Sequence, residues 1–179
     1  SQVKASPDRP VAMWFSDFDE NGSVDPILTY YIMGENFPYP TRDELVQQLP
    51  GFKKRFNDYA SYSSAGLDKV LTRDEQEKAS VLTAVQMESC FIRNDGARLV
   101  AGPLPVEMQI APVFAVGVLD VNKDGNLDFI AAGNLTGTRS RTGKMTGNTG
   151  FIFLGDGKGG FHFVSPSETG LHSIGDVRK

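Results

Sequence analysis

An acidic nine-residue pattern occurs twice in this chain, at residues 17–25 and 120–128, an offset of 103 positions (120 − 17). Each copy has Asp at positions 1 and 9, Asp or Asn at positions 3 and 5, and Gly at position 6. Alternate residues of a tight loop point inward together, so these oxygen-bearing side chains can converge on one point. Ca²⁺ takes about six to eight such oxygen ligands. The pattern therefore predicts two calcium-binding loops.

Each loop supplies five candidate metal ligands. Side chains serve at positions 1, 3, 5 and 9, and position 7 offers its backbone carbonyl. Glycine at position 6 permits the positive φ angle that reverses the chain. The candidate ligands are Asp17, Asp19, Asn21, Ser23 and Asp25 in the first loop, and Asp120, Asn122, Asp124, Asn126 and Asp128 in the second.

The residues around both loops predict strands rather than helices. An EF-hand needs a glutamate at position 12, but Leu28 and Ala131 occupy that position here. The flanking segments are rich in aromatic and β-branched residues, as strands are. They are residues 11–15, 26–31, 113–119 and 129–132. The local structure expected at both sites is strand, calcium turn, strand.

Plain hairpin turns are the simplest alternative interpretation of these loops, because Asp, Asn and Gly also form turns without a metal. Two loops that match at five spaced positions, in matching strand contexts, favour the metal-binding interpretation. Under either interpretation a tight turn joins two strands.

The two loops belong to a longer internal repeat. Residues 91–96 and 152–157 each resemble a strand that runs into an Asp-Gly turn, and apolar residues follow at 99–100 and 161–164. Each repeat is thus predicted to contain four strands and to end in a hairpin, the size of one propeller blade. Two repeats cannot bury both faces of their sheets, and a propeller needs about four to eight blades to close. The chain is therefore expected to be a fragment of a larger propeller.

The first repeat carries a predicted helical insertion at about residues 38–86. Two capping boxes mark helix starts, one from Thr41 to Glu44 and one from Thr72 to Glu75. Pro50-Gly51 is expected to break the first helical run. The second run is predicted to continue through three apolar residues, Ala79, Leu82 and Val85.

The matching stretches resemble the FG-GAP and VCBS repeats, the calcium-binding blade unit of integrin α-subunit propellers and of the cartilage acidic protein type. The resemblance rests on residues 17–25, 120–134 and 151–161, and the insertion is similar to that of large secreted or surface proteins of Bacteroidetes. It implies a β-propeller, usually of about seven blades. It also implies structural Ca²⁺, about two ions in this chain, and an extracellular or cell-surface role in recognition or adhesion.

The predicted organisation is mainly β, built from four-stranded antiparallel blades. Repeat 1 spans residues 1–110 with the insertion, repeat 2 spans residues 111–168, and a further blade begins at residues 169–179. Expected partners are the remaining blades and an extracellular glycan or protein. A net charge of −4 and a pI near 5.2 disfavour nucleic acid. No apolar stretch approaches the length of about 18 residues that spans a membrane.

Two other functions are compatible with the residues. The chain can be part of a propeller-based polysaccharide lyase or hydrolase, although its candidate residues form no recognisable constellation. Those candidates are Asp43, Glu44, Arg139, Arg141, His162 and His172. The helical insertion can also dock onto another subunit of a surface complex. Its contact would be the apolar helix face formed by Leu45, Leu49, Phe52 and Phe56.

Overall fold

A computed structural model of the chain describes residues 3–178. The protein is mainly β, with several antiparallel sheets and a few short helices, which confirms the mainly β part of the prediction. A closed propeller is not detected among the described residues. The chain divides into two compact units, Ser1–Met87 and Glu88–Lys179.

The first unit contains a four-stranded antiparallel sheet in the spatial order β3-β2-β1-β4. Its strands are β1 (Val11–Ser16), β2 (Asp25–Ile32), β3 (Glu35–Pro38) and β4 (Ser80–Ala84). Between β3 and β4 the chain forms short helices, where the insertion was predicted. They are α1 (Arg42–Gln48), α2 (Phe52–Arg55), α3 (Tyr59–Ser63), α4 (Leu67–Val70) and α5 (Arg73–Lys78).

Both predicted capping boxes are present in the structure. Thr41 accepts a hydrogen bond from the N–H of Glu44, whose carboxylate accepts one back from the N–H of Thr41. Thr72 and Glu75 form the same reciprocal pair at the start of α5. As expected, Pro50-Gly51 separates α1 from α2.

The predicted continuation of the last helix through Leu82 and Val85 is wrong. Helix α5 ends at Lys78, and its C-cap residue Ala79 has an extended conformation with ψ 144°. The next residues form strand β4, which pairs with β1 in the register Met13↔Leu82. Pairing with a neighbouring strand outweighs the local helical spacing, because strand hydrogen bonds satisfy the same backbone groups.

The helices cover one face of the first sheet. Ile27 on β2 is fully buried in a cluster with the apolar residues of the insertion. The predicted helix face lies within this cluster, and its four residues are at most 5% exposed, namely Leu45, Leu49, Phe52 and Phe56. This face therefore stabilises its own unit and is not available for docking to another subunit.

The second unit contains a two-stranded hairpin and a four-stranded antiparallel sheet. The hairpin consists of β5 (Cys90–Asn94) and β6 (Leu99–Pro103), and a 3-10 helix follows at Val106–Gln109. The sheet has the order β10-β9-β8-β7 and is followed by helix α6 (Pro166–Thr169). Its strands are β7 (Ala115–Leu119), β8 (Asp128–Ala132), β9 (Phe151–Gly155) and β10 (Phe161–Val164). Four strands that are consecutive in the chain thus form one sheet, as predicted for residues 111–168.

The first repeat differs from its prediction. The hairpin β5-β6 was expected to complete its sheet, but it forms a separate sheet within the second unit. Strands β3 and β4 occupy the edges of the first sheet instead. The further strand expected after residue 169 is also not formed in the described part of that segment, residues 170–178.

Phenylalanine side chains form the core of the second unit. Phe153 is fully buried and stacks on Phe129, with ring centroids 4.6 Å apart and an interplanar angle of 14°. Phe151 and Phe163 pack around Phe153, with ring centroids at 6.4 and 5.4 Å from its own. This cluster includes Phe129 and Ala131 of β8, the strand that begins at the last residue of the second acidic loop.

Candidate metal centre

Both acidic loops connect two antiparallel strands in the same register. The first joins β1 to β2, with Ser16 opposite Asp25, and the second joins β7 to β8, with Leu119 opposite Asp128. In each case the residue before position 1 faces position 9 across the strand pair. The predicted strand, turn, strand arrangement is thus confirmed at both sites.

Position 1 of the first loop organises the turn. The carboxylate of Asp17 accepts hydrogen bonds from the N–H groups of Asn21 and Gly22, at 2.9 and 2.8 Å. The side-chain oxygen of Asn21 accepts a further bond from the N–H of Ser23 at 2.8 Å. Side-chain oxygens thus take up the backbone donors that the tight turn leaves without strand partners.

The second loop has the same hydrogen bonds at the same positions. Asp120 accepts from the N–H groups of Asp124 and Gly125, at 3.1 and 2.9 Å, and Asp124 accepts from the N–H of Asn126 at 2.8 Å. The bond from Asn126, helped by the side-chain amide of Asn122, holds the pKa of the exposed Asp124 below its usual value. The two loops are therefore built alike.

Backbone conformation repeats as well. Gly22 and Gly125 at position 6 have φ angles of 85° and 89°, as the sequence predicts. Glu20 and Lys123 at position 4 also have positive φ, at 59° and 63°. Such values are uncommon for residues other than glycine, and nothing in the side chains of Glu and Lys indicates them. Only the folded loop reveals that position 4 adopts this conformation.

The position-9 aspartates are buried. Asp25 is 5% exposed and Asp128 is 1% exposed. Asp25 accepts a hydrogen bond from the N–H of Phe18 at 3.1 Å, and Asp128 accepts one from the N–H of Val121 at 2.7 Å. Neither carboxylate forms an ion pair with a described Lys, Arg or His residue. Each loop thus holds a buried carboxyl group without a cationic side chain beside it.

The first loop brings three carboxylates together. Oxygen atoms of Asp17, Asp19 and Asp25 lie within 4.8 Å of one another, and this triad could hold a metal ion. Within residues 3–178 the same grouping is not found at the second loop. There Asn122 stands at position 3, and its amide donates to Asp124 at 2.9 Å. The donor sets of both loops consist of oxygen atoms, which fits a hard cation such as Ca²⁺.

A contact from outside the second loop was not predicted. The N–H of Gly155, at the end of β9, donates to the second oxygen of Asp128 at 2.8 Å. A Cβ atom at Gly155 would overlap the carbonyl oxygen of Leu127. Asp128 therefore links the second acidic loop to β9 through this hydrogen bond. The glycine-rich turn after residue 154 is a signal for such close approach, although it also suits an ordinary hairpin.

Gly155→Ala is expected to destabilise the second unit by about 1–3 kcal/mol, because the added methyl group displaces either the Leu127 carbonyl or strand β9. Gly117→Ala on β7 is the matched control, since no atom lies within 4 Å of the position that its Cβ would occupy. That control is expected to change stability by less than about 0.5 kcal/mol. Urea denaturation followed by circular dichroism measures both, and equal effects would contradict the steric argument.

Two of the residues considered for an enzyme, Asp43 and Glu44, have structural roles. Asp43 accepts a hydrogen bond from the hydroxyl of Tyr59 at 2.6 Å, and Glu44 belongs to the capping box of α1. His162 and His172 are exposed.

Comparisons with protein families, with curated proteins and with solved structures found no match for this chain. Among the described residues, none of the helices has the length and apolar character needed to cross a membrane. Together, fold and site define a mainly β protein with two similar acidic loops, one of which contains a carboxylate triad suited to a metal ion.

Proposed function

We propose that the chain is a calcium-binding module of a β-propeller, in which structural Ca²⁺ stabilises both acidic loops. One observation carries the proposal: the loops are built alike, and each contains a buried aspartate without a cationic partner. A charge removed from water is unfavourable unless it is paired or coordinates a metal. Backbone N–H groups offset part of this cost, and a bound cation would offset much more.

The donor set favours Ca²⁺ over Mg²⁺. Position 7 supplies a carbonyl beside the carboxylate and amide oxygens, and Ca²⁺ accepts such irregular sets of about six to eight ligands. Mg²⁺ demands a near-ideal octahedron and dehydrates reluctantly. In the first loop the ligands would be Asp17, Asp19, Asn21, Asp25 and the carbonyl of Ser23, and the second loop would use the equivalent residues.

The four-stranded sheet and the sequence resemblance support the proposed propeller and its extracellular location. The second unit contains a four-stranded antiparallel sheet of consecutive strands, which is the composition of one blade. The sequence resembles calcium-binding propeller repeats of surface proteins. Extracellular calcium sites commonly bind at about 10⁻⁴–10⁻³ M, which suits a permanently bound structural ion. On this proposal, loops of the assembled propeller recognise a glycan or a protein.

Calorimetric titration of Ca²⁺ into chelator-treated protein tests the proposal. We expect saturable binding of about two ions per chain, and a rise in melting temperature, because a ligand that binds only the folded loop adds about 2.7 kcal/mol of stability at 100 times its Kd. The double variant Asp17→Ala, Asp120→Ala should lose both effects. Equal responses to Mg²⁺ and Ca²⁺ would contradict the assignment of calcium, and absence of either response would mean that the loops are plain turns.

A further inference from the structure

A cavity of about 530 Å³ lies in the first unit, outside both acidic loops. Its lining residues belong to the hairpin of β2 and β3 and to the helical insertion around α3. Three of them are aromatic and half-buried, namely Tyr30, Phe37 and Tyr62. Small-molecule sites are typically concave, lined mainly by apolar and aromatic residues, and about 300–1,000 Å³ in volume. This cavity therefore has the size and the lining of a ligand site.

The register of the β2-β3 hairpin places an aromatic pair beside a carboxylate. Tyr30 lies opposite Phe37, and Ile32 lies opposite Glu35. Residues directly opposite each other, and those two positions along a strand, share one face of a sheet. The two-residue turn after Ile32 has positive φ at both positions, 52° and 93°, which is the geometry that joins adjacent strands tightly. Both rings and the carboxylate therefore lie on the same face of the hairpin.

Two of the three rings are held in place by contacts outside the cavity. The hydroxyl of Tyr62 donates to the carbonyl of Pro40 at 2.7 Å, and its ring packs edge to face on Phe56, with centroids 5.2 Å apart. Tyr30 packs in the same way on Tyr39, with centroids 5.8 Å apart. Side chains that are already ordered lose little further freedom when a ligand binds. The aromatic walls are therefore preformed.

Glu35 gives the cavity a negative charge. Among the described residues that line the cavity, it is the one that carries a full charge. Glu35 is exposed, and no ion pair within residues 3–178 involves it. The faces of aromatic rings carry negative partial charge as well. Carboxylate and rings together favour a positively charged ligand.

We propose that this cavity binds a small organic cation with a quaternary ammonium group, of the choline type. Such a group is attracted to the faces of aromatic rings, and several rings around one cavity are its usual binding environment. Ile32 and Ala65 also line the cavity and offer apolar surface to the methyl groups, while Glu35 supplies the opposite charge. The inference goes beyond the proposed calcium role and does not depend on it.

A quaternary ammonium group suits this lining better than a primary amine or a neutral sugar. A primary ammonium group is strongly hydrated and has three N–H donors that need acceptors. A quaternary group has no N–H donor, so apolar walls cost it less. A neutral sugar can stack on the rings, but it gains no attraction between opposite charges from Glu35. The charge of the ligand is therefore the property that the test varies.

Calorimetric titration of the full chain with choline tests the inference. The reference ligand is the uncharged alcohol of the same shape, in which a carbon atom replaces the nitrogen of choline. We expect saturable binding of choline and at least about tenfold weaker binding of the alcohol. Glu35→Gln removes the charge and keeps the size of the side chain, and it should weaken choline binding at least about fivefold. Phe37→Leu removes one ring and should have a similar effect.

Glu88→Gln is the matched control, because it removes an exposed carboxylate that does not line the cavity. It should change the affinity for choline less than about twofold. The melting temperature of each variant is measured without ligand. If Phe37→Leu does not fold, the comparison of Glu35→Gln with Glu88→Gln still decides.

Four results would overturn the inference. They are absence of saturable choline binding, equal affinity for choline and the uncharged alcohol, equal losses in Glu35→Gln and Glu88→Gln, and tighter binding of methyl glucoside than of choline. The last result would mean that the rings form a sugar site instead. Choline binding that depends on both the charge of Glu35 and the ring of Phe37 supports the inference.

Discussion

Asp128→Ala is expected to destabilise the metal-free protein by about 2–4 kcal/mol, because two backbone donors, of which that of Gly155 is buried, lose their acceptor. The carboxylate accepts from the N–H of Val121 at 2.7 Å and from the N–H of Gly155 at 2.8 Å. At 1% exposure, water cannot replace it without opening the loop or moving strand β9. Urea denaturation in the presence of a chelator measures the loss.

Asp120→Ala is the matched control for this change. Asp120 is also a candidate ligand of the second loop and also accepts two backbone hydrogen bonds, from Asp124 and Gly125. The N–H groups of Asp124 and Gly125 are exposed, so water can accept their hydrogen bonds in the variant. We therefore expect a loss of stability below about 1 kcal/mol without metal. Added Ca²⁺ should then stabilise neither variant at this loop. If the two variants were equally unstable in chelator, burial of Asp128 would not be the cause.

Phe153→Ala is expected to destabilise the second unit by about 3–5 kcal/mol, the usual range for removing a buried phenylalanine ring. Phe153 has no exposed surface and lies against three other rings, those of Phe129, Phe151 and Phe163. Part of the lost stability comes from the apolar surface that is no longer buried. The rest comes from the cavity that remains because the neighbouring rings cannot move far enough to fill it. Hydrogen exchange of the β9 amides, together with urea denaturation, locates the effect in this sheet.

Phe114→Ala provides the comparison on the same unit. Phe114 is 45% exposed, and the guanidinium of Arg178 lies 4.1 Å from its ring centroid. Truncation there removes a cation–π contact and little buried area, so we expect a cost below about 1.5 kcal/mol. A cost for Phe153→Ala no larger than this would show that the ring cluster does not dominate the core.

Features that depend on a few consecutive residues were predictable. The capping boxes at Thr41 and Thr72 formed as their spacing requires, and Gly22 and Gly125 took the positive φ that position 6 needs. Both acidic patterns folded into turns between antiparallel strands. In these cases the partners lie within nine residues, so the local chain already specifies their geometry.

Features that depend on partners distant in the chain could not be predicted from the sequence. Residues 80–84 look helical after the capping box at Thr72, yet they form the strand that pairs with β1. The hairpin of β5 and β6 matches a blade hairpin in sequence, yet it stands as a separate sheet. The edge of a sheet can pair with any extended segment that has suitable side chains. The local sequence pattern therefore does not specify which segment pairs with it.

The sequence alone determined where the two loops lie, which oxygen atoms they offer and that strands enter and leave them, because all of this is encoded in spacing over nine residues. The tertiary structure decided which carboxylates converge and which are buried. Oxygen atoms of Asp17, Asp19 and Asp25 lie within 4.8 Å of one another. The buried carboxylate of Asp128 accepts a hydrogen bond from the N–H of Gly155, which lies 27 residues further along the chain. The contact between Asp128 and Gly155 arises from strand pairing and core packing, whose partners are remote in sequence.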